Sequence, residues 1–243
     1  LQPISAYTIK AHNGYNLYNI GFASGLLATL LMSVFRAFGI EFESRLLWHT
    51  GSNKELLVFV IIICIYLICI GVFTSKDWFH TLSKLNKQSG RLVSDFYFLF
   101  GPATYINMGI LGLIATRFVV LVGGDLNGAT LCGIFTIIGF GAFGKNLKNV
   151  IPIMIGAVIG AFLNVKSVNS PSLILSILFS TTLAPIAGKF GWKMGILAGI
   201  MHLCVVTNVG YLHGGLNLYN NGLAGGIVAM ALIPLITAFK REM

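Results

Sequence analysis

Residues 56–74 read LLVFVIIICIYLICIGVFT, nineteen consecutive positions without a charge. A helix rises about 1.5 Å per residue, so this run alone covers the roughly 30 Å of hydrocarbon in a bilayer. A soluble fold would have to bury all of it, and the remaining sequence gives no means of doing so. Hydrophobic residues make up 56% of the 243 positions and charged residues 9%, against about 25% charged in an ordinary soluble domain. A membrane β-barrel is excluded as well, because its strands alternate apolar and polar residues over about ten positions and these runs are continuous. The fold class is therefore all-α, a polytopic bundle of transmembrane helices.

Further apolar runs lie near 17–40, 102–122, 127–143, 150–165, 172–188, 193–212 and 222–239. Together they predict seven or eight spans. The runs at 127–143 and 150–165 are short, and each is open to being a broken or re-entrant element. Basic residues fall between the runs: Lys76, Lys84, Lys87 and Arg91 in one connection, then Lys145 with Lys148, Lys189 with Lys193, and Lys240 with Arg241. A net charge of +9 would suggest nucleic acid in a soluble protein. Here the placement follows the positive-inside pattern, so the partner it indicates is the lipid bilayer and not a nucleic acid. If 127–143 spans, all four basic groups share one side. The C-terminus is then cytoplasmic, and the 41–55 loop, Asp125, Lys166 and His213 lie outside. Trp78, Phe79, Leu82 and Leu85 give the 75–95 connection one apolar face, suited to lying along the inner interface. The four cysteines sit in apolar runs without C-x-x-C spacing, so neither disulfide nor zinc chemistry is indicated.

The most informative feature is a repeat. Residues 12–25, HNGYNLYNIGFASG, and 213–226, HGGLNLYNNGLAGG, agree at nine of fourteen positions with a constant offset of 201, and each copy runs into an apolar helix. This is an internal duplication, a plan on which many transporters are built. With the orientation above, the helix after the first copy runs outward and the helix after the second runs inward, which makes the repeat inverted; a re-entrant 127–143 would make it parallel. Residues 1–40 then end a first unit, 41–95 connect, and 96–243 hold the core of the second. On the same reasoning a complete protein would have roughly 420 residues, most of its first unit lying upstream.

In the segment H-x-G-x-N-L-Y-N-x-G, Asn, Tyr and His offer donors and acceptors without charge, and glycines free backbone groups that only protein or water can satisfy at membrane depth. Such a segment can replace the hydration shell of a small polar solute. The candidate pathway residues are His12, Asn16, Tyr18 and Asn19 in the first copy, and His213, Asn217, Tyr219 and Asn220 in the second. The competing reading makes them helix caps and interhelical glue, with Gly21-x-x-x-Gly25 and Gly222-x-x-x-Gly226 serving close packing. Asn127 and Thr130, beside Asp125 at the head of a short helix, form a second candidate, with a plain N-cap as the alternative. His202 reads as an interhelical histidine, and Arg36 and Arg117 as residues snorkelling from helix ends.

The chain holds only seven carboxylates, and Asp125 alone lies beside a candidate segment. Proton-coupled carriers usually keep a buried acid, and none is apparent here. There is no H-E-x-x-H, G-x-S-x-G or G-x-x-x-x-G-K-[ST], so no cofactor, metal or hydrolase motif anchors an enzymatic reading.

The repeated segments, with the run NGATLCGIFTIIGFGAFGK at 127–145, resemble a family of uncharacterised bacterial polytopic membrane proteins, domain of unknown function 1576. The resemblance covers nearly the whole chain. It implies a length of about 400 residues or more and residence in a bacterial cytoplasmic membrane, and assigns no substrate. The Gly-rich, carboxylate-poor duplication is also similar in plan to urea channels. The function expected is a channel or facilitative transporter for a small neutral or anionic solute. Two other classes stay open: an intramembrane enzyme using His12, His202 or His213 as acid or base, and a non-transporting scaffold. Association between copies is equally open.

Overall fold

The 56–74 run lies inside helix α3 (Asn53–Thr74), in a computed structural model that describes residues 1–42, 47–92, 94–163, 167–215 and 220–241. The other elements are α1 (Gln2–Ala11), α2 (Asn19–Ala37), α4 (Trp78–Leu85), α5 (Phe96–Phe100), α6 (Ala103–Leu121), α7 (Gly128–Phe140), α8 (Leu147–Phe162), α9 (Pro171–Ser180), α10 (Ala184–Phe190), α11 (Trp192–His213) and α12 (Asn220–Arg241). Among the described residues six segments are long and apolar enough to cross a membrane, counting 171–190 as one, with α7 and α8 as shorter apolar helices. The protein is an all-helical integral membrane protein. Many large apolar residues of α3 are exposed, including Phe59, Ile62 and Phe73, as a helix facing lipid requires.

Close backbone contacts fix how the helices run. Gly109 of α6 sits on the Cys64 carbonyl of α3 and Gly71 of α3 on the Pro102 carbonyl, so the two are antiparallel. α7 returns along α6, with Gly124 against Val119 before it and Gly141 against Met108 after it. It thus traverses most of α6 in only 13 residues. α8 and α11 lie side by side and parallel: Pro152 meets Gly195, Gly156 meets Ile196, and Gly160 meets Leu203.

The connections carrying basic residues meet at one end. Asn146 Nδ2 donates to the Gln88 carbonyl (2.9 Å), the Leu147 amide donates to Asn86 Oδ1 (3.2 Å), and Gly188 packs on the Ser89 carbonyl. At the opposite end Asp125 accepts from Trp48 Nε1 (3.2 Å) and Asn53 Nδ2 (3.3 Å). The sequence puts Lys145 among the charges at the basic end, and there the structure differs. Lys148 is exposed, but Lys145 is 0% exposed, its backbone held inward because Asn107 Nδ2 donates to the Lys145 and Gly141 carbonyls (2.8 and 2.7 Å).

The apolar run 172–188 is not one regular helix. A 3-10 turn at Thr181–Leu183 separates α9 from α10. Pro185 supplies no N–H to continue the ladder, and the Ser180 and Thr181 hydroxyls turn back to the Ile177 and Leu178 carbonyls (2.6 and 2.7 Å). The break leaves Thr181 and Thr182 buried at the centre of the bundle.

Candidate functional site

Where both copies of the repeated segment are described, they fold the same way. The histidine closes a helix, and the chain turns through two left-handed residues: Asn13 and Gly14 (φ 51° and 75°) in the first, Gly214 and Gly215 (φ 54° and 82°) in the second. Only Gly and Asn enter that region at little cost, which accounts for the residue types found there. The turn carries the asparagine seven residues on back to the histidine: His12 Nε2 lies 2.9 Å from Asn19 Oδ1, and His213 Nε2 lies 3.0 Å from Asn220 Oδ1. Each asparagine amide then donates to the carbonyl fourteen residues before it, Asn19 to Ser5 (2.8 Å) and Asn220 to Val206 (3.0 Å). Because Asn Oδ1 accepts, the network sets the proton on Nε2 of both histidines. His12 Nδ1 accepts from the Asn16 amide (3.3 Å); the matching Asn217 lies outside the described residues, and among those described the buried His213 Nδ1 has no hydrogen-bond partner. The two bonds that the copies share predict a similar cost. Asn19→Leu and Asn220→Leu should each lower unfolding stability by about 2 kcal/mol, through buried groups left unpaired, as measured by denaturation in detergent.

The two copies meet where their helices begin. A Cβ on Gly222 would stand 2.7 Å from the Gly21 Cα, and these are the same position of the repeat. Asn16 ties the crossing together: Nδ2 donates to the Gly222 carbonyl (3.1 Å), and Oδ1 accepts from the Tyr18 amide (3.3 Å) and the Thr182 hydroxyl. From the crossing the helices leave in opposite directions. Arg36 near the end of α2 stacks on Tyr211 near the end of α11, at 4.0 Å from the ring centroid. Ile233 and Ile236 of α12 instead share a core with Ala198 and Met194 toward the start of α11.

Tyr18 reaches from this crossing to Lys145. The ammonium donates to the Tyr18 hydroxyl and, at 2.7 Å, to Thr181 Oγ1, and lies over the Tyr18 and Phe140 rings at 4.6 and 5.2 Å. Among the described residues no carboxylate is buried, so every one of these neighbours is neutral. A buried ammonium without a counter-charge costs several kcal/mol, and cation–π contact recovers about 2 kcal/mol of that. Lys145 is the central residue that the sequence reading missed. The sequence shows a lysine after a Gly-rich helix stop, GFGAFGK, but not the Asn107 contact that pulls this stop inward.

Beside the pair lies a cavity of about 420 Å3 lined by Tyr18, Ile20, Gly21, Phe140, Asn221 and Gly222, among others. The first turns of α2 and α12 both contribute to its wall. Asn221 Oδ1 is buried without a partner among the described residues, and His202 Nε2 lies 3.3 Å from the Asn221 carbonyl.

The structure thus brings His12, Asn16, Tyr18, Asn19, His213 and Asn220 around one crossing. Asn217 and Tyr219 lie outside the described residues. Asn127 and Thr130 stand apart, at the other end of α7, roughly 20 Å from Phe140 along its axis. They form a reciprocal capping box: Asn127 Oδ1 accepts from the Thr130 amide (3.2 Å) and Thr130 Oγ1 from the Asn127 amide (2.9 Å). Asn127 Nδ2 also donates to the His49 carbonyl (2.9 Å). Among the described residues no group of three His, Cys, Asp or Glu side chains could hold a metal.

Against this geometry stand the comparisons with known proteins. The sequence model of a family described as "Protein of unknown function (DUF1576)" matches residues 1–37 and 74–238. No curated protein and no solved structure matches the chain.

Proposed function

We propose that this chain, which belongs to the DUF1576 family, is part of a channel or facilitative transporter for a small neutral or anionic solute. The observation that carries the reading is the meeting of two repeated, Gly-rich, polar helix starts beside an open cavity between α2, α7 and α12 of an otherwise apolar bundle. Helices that begin at membrane depth cost unsatisfied backbone groups, and they recur where those groups serve a solute. The opposite directions of α2 and α12 support an inverted duplication. The shared end of the basic connections supports placing that end in the cytoplasm.

Cys132 offers a test, since it lines the cavity and is exposed. Cys132→Trp is expected to cut solute flux into proteoliposomes by at least about tenfold, because an indole fills much of a cavity of this size, while leaving thermal unfolding in place. Flux equal to wild type would count against the cavity as pathway, and loss of folding with loss of flux would favour the scaffold reading.

A further inference from the structure

We propose that Lys145, Tyr18 and the helix starts beside them form a binding site for a small monovalent carboxylate. This rests on the transport reading above and narrows its solute from neutral or anionic to anionic.

The first ground is charge balance. Lys145 is the only Lys or Arg among the buried described residues, and no described carboxylate is buried with it. Its surroundings are hydroxyls and rings, which solvate an ammonium without neutralising it. An arriving anion supplies the missing charge.

The second ground is where the donors point. The ammonium has three N–H groups, and two go to Tyr18 and Thr181. The Thr181 hydroxyl hydrogen is spent on the Leu178 carbonyl (2.7 Å). Tyr18 differs: its oxygen accepts from the ammonium and lies within hydrogen-bond reach of Thr181, and its side chain lines the cavity, so its O–H can turn to an acceptor that enters there. Accepting from a cation makes that phenol a stronger donor, by polarisation along the chain.

The third ground is the wall. Gly21 of α2 and Asn221 and Gly222 of α12 belong to first turns, whose N–H groups have no acceptor within their own helix and carry the positive end of the helix dipole. Tyr18, at the cap position of α2, makes no side-chain cap. Asn221 adds an amide whose oxygen has no partner among the described residues, usable either way round. Apart from Thr136, whose hydroxyl donates to the Cys132 carbonyl (2.7 Å), the rest of the lining, Leu17, Ile20 and Phe179 among it, is apolar. A strongly hydrated inorganic ion gains nothing from such walls, whereas a carboxylate on a short apolar body does, and one lysine matches one negative charge.

The test uses an isosteric pair, butyrate and butyramide, titrated calorimetrically into purified protein. Wild type is expected to bind butyrate at least about tenfold tighter than butyramide, a charge-assisted contact being worth that much. Lys145→Met should bring the two together, and a methionine suits the apolar surroundings well enough to keep the protein folded. Should that variant fail to fold, Tyr18→Phe is the second arm, with butyrate weakened about tenfold and butyramide unchanged. Butyramide bound as tightly as butyrate by wild type overturns the anion site and leaves the transport reading standing. Chloride displacing butyrate at equal concentration overturns the carboxylate assignment. If neither probe binds, the site is overturned; wild-type proteoliposomes that take up no small solute faster than protein-free vesicles would separately overturn the transport reading.

Discussion

A leucine at Gly156 is expected to leave no folded protein to purify. α8 and α11 run parallel in backbone contact: a Cβ on Gly156 would overlap the Ile196 carbonyl, and one on Gly199 would overlap the Ile153 carbonyl. Small residues at four-residue spacing, Gly156 with Gly160 and Gly195 with Gly199, allow this approach, which in a membrane stands in for the hydrophobic drive that holds soluble helices together. A carbonyl cannot rotate away as a side chain can. Leucine would therefore part the helices along Ile153, Ala157 and Leu203, all fully buried, and the opened space would cost up to about 5 kcal/mol. Proteins have about 5–15 kcal/mol in total. Size-exclusion chromatography of detergent extracts measures the outcome. Gly160→Ala is the control, because its Cβ would meet only the Leu203 side chain and the Ile200 Cα, at 3.3–3.4 Å. A monodisperse, thermally stable Gly156→Leu protein would contradict the packing.

The bundle was legible in the sequence because membrane helices announce themselves by length and apolarity. The 56–74 run became α3, and the Trp78–Leu85 amphipathic face became α4. The grouping of basic connections at one end was legible too, since charge is excluded from hydrocarbon. Two features were not. The break at Thr181–Leu183 lies inside a run that hydropathy reads as continuous, and only Ser180-Thr-Thr-Leu-Ala-Pro185 hinted at it. Lys145 looked like an end-of-helix charge because linear sequence cannot register that Asn107, nearly forty residues earlier, draws its backbone inward. The repeat pointed to residues that the fold brings together: its histidine and second asparagine make the same bond in each copy, His12 with Asn19 and His213 with Asn220. What the repeat alone could not supply was the third party at the crossing, Lys145 with Thr181, which belongs to neither copy.

Valine at Gly222 is expected to abolish transport and lower stability by about 3 kcal/mol, a cost in the range of a buried backbone clash with lost hydrogen bonds. Its Cβ would stand 2.7 Å from the Gly21 Cα and 3.0 Å from the Tyr18 carbonyl oxygen, both backbone and neither free to rotate away. The helix starts must part, and with them goes the bond from Asn16 to the Gly222 carbonyl. Tyr18 then shifts off Lys145, because its amide is fixed to Asn16 and to Thr182 Oγ1 (2.9 Å) on the opposite side of the same junction. Gly210→Ala, whose nearest new neighbour is 3.9 Å away, should behave as wild type. The informative comparison is Gly21→Val. If the two copies are related by an axis through this crossing, the substitutions are equivalent and both should lose flux and stability to the same degree. A Gly21→Val protein that transports normally would show that the two helix starts only touch, and that the function belongs to one of them.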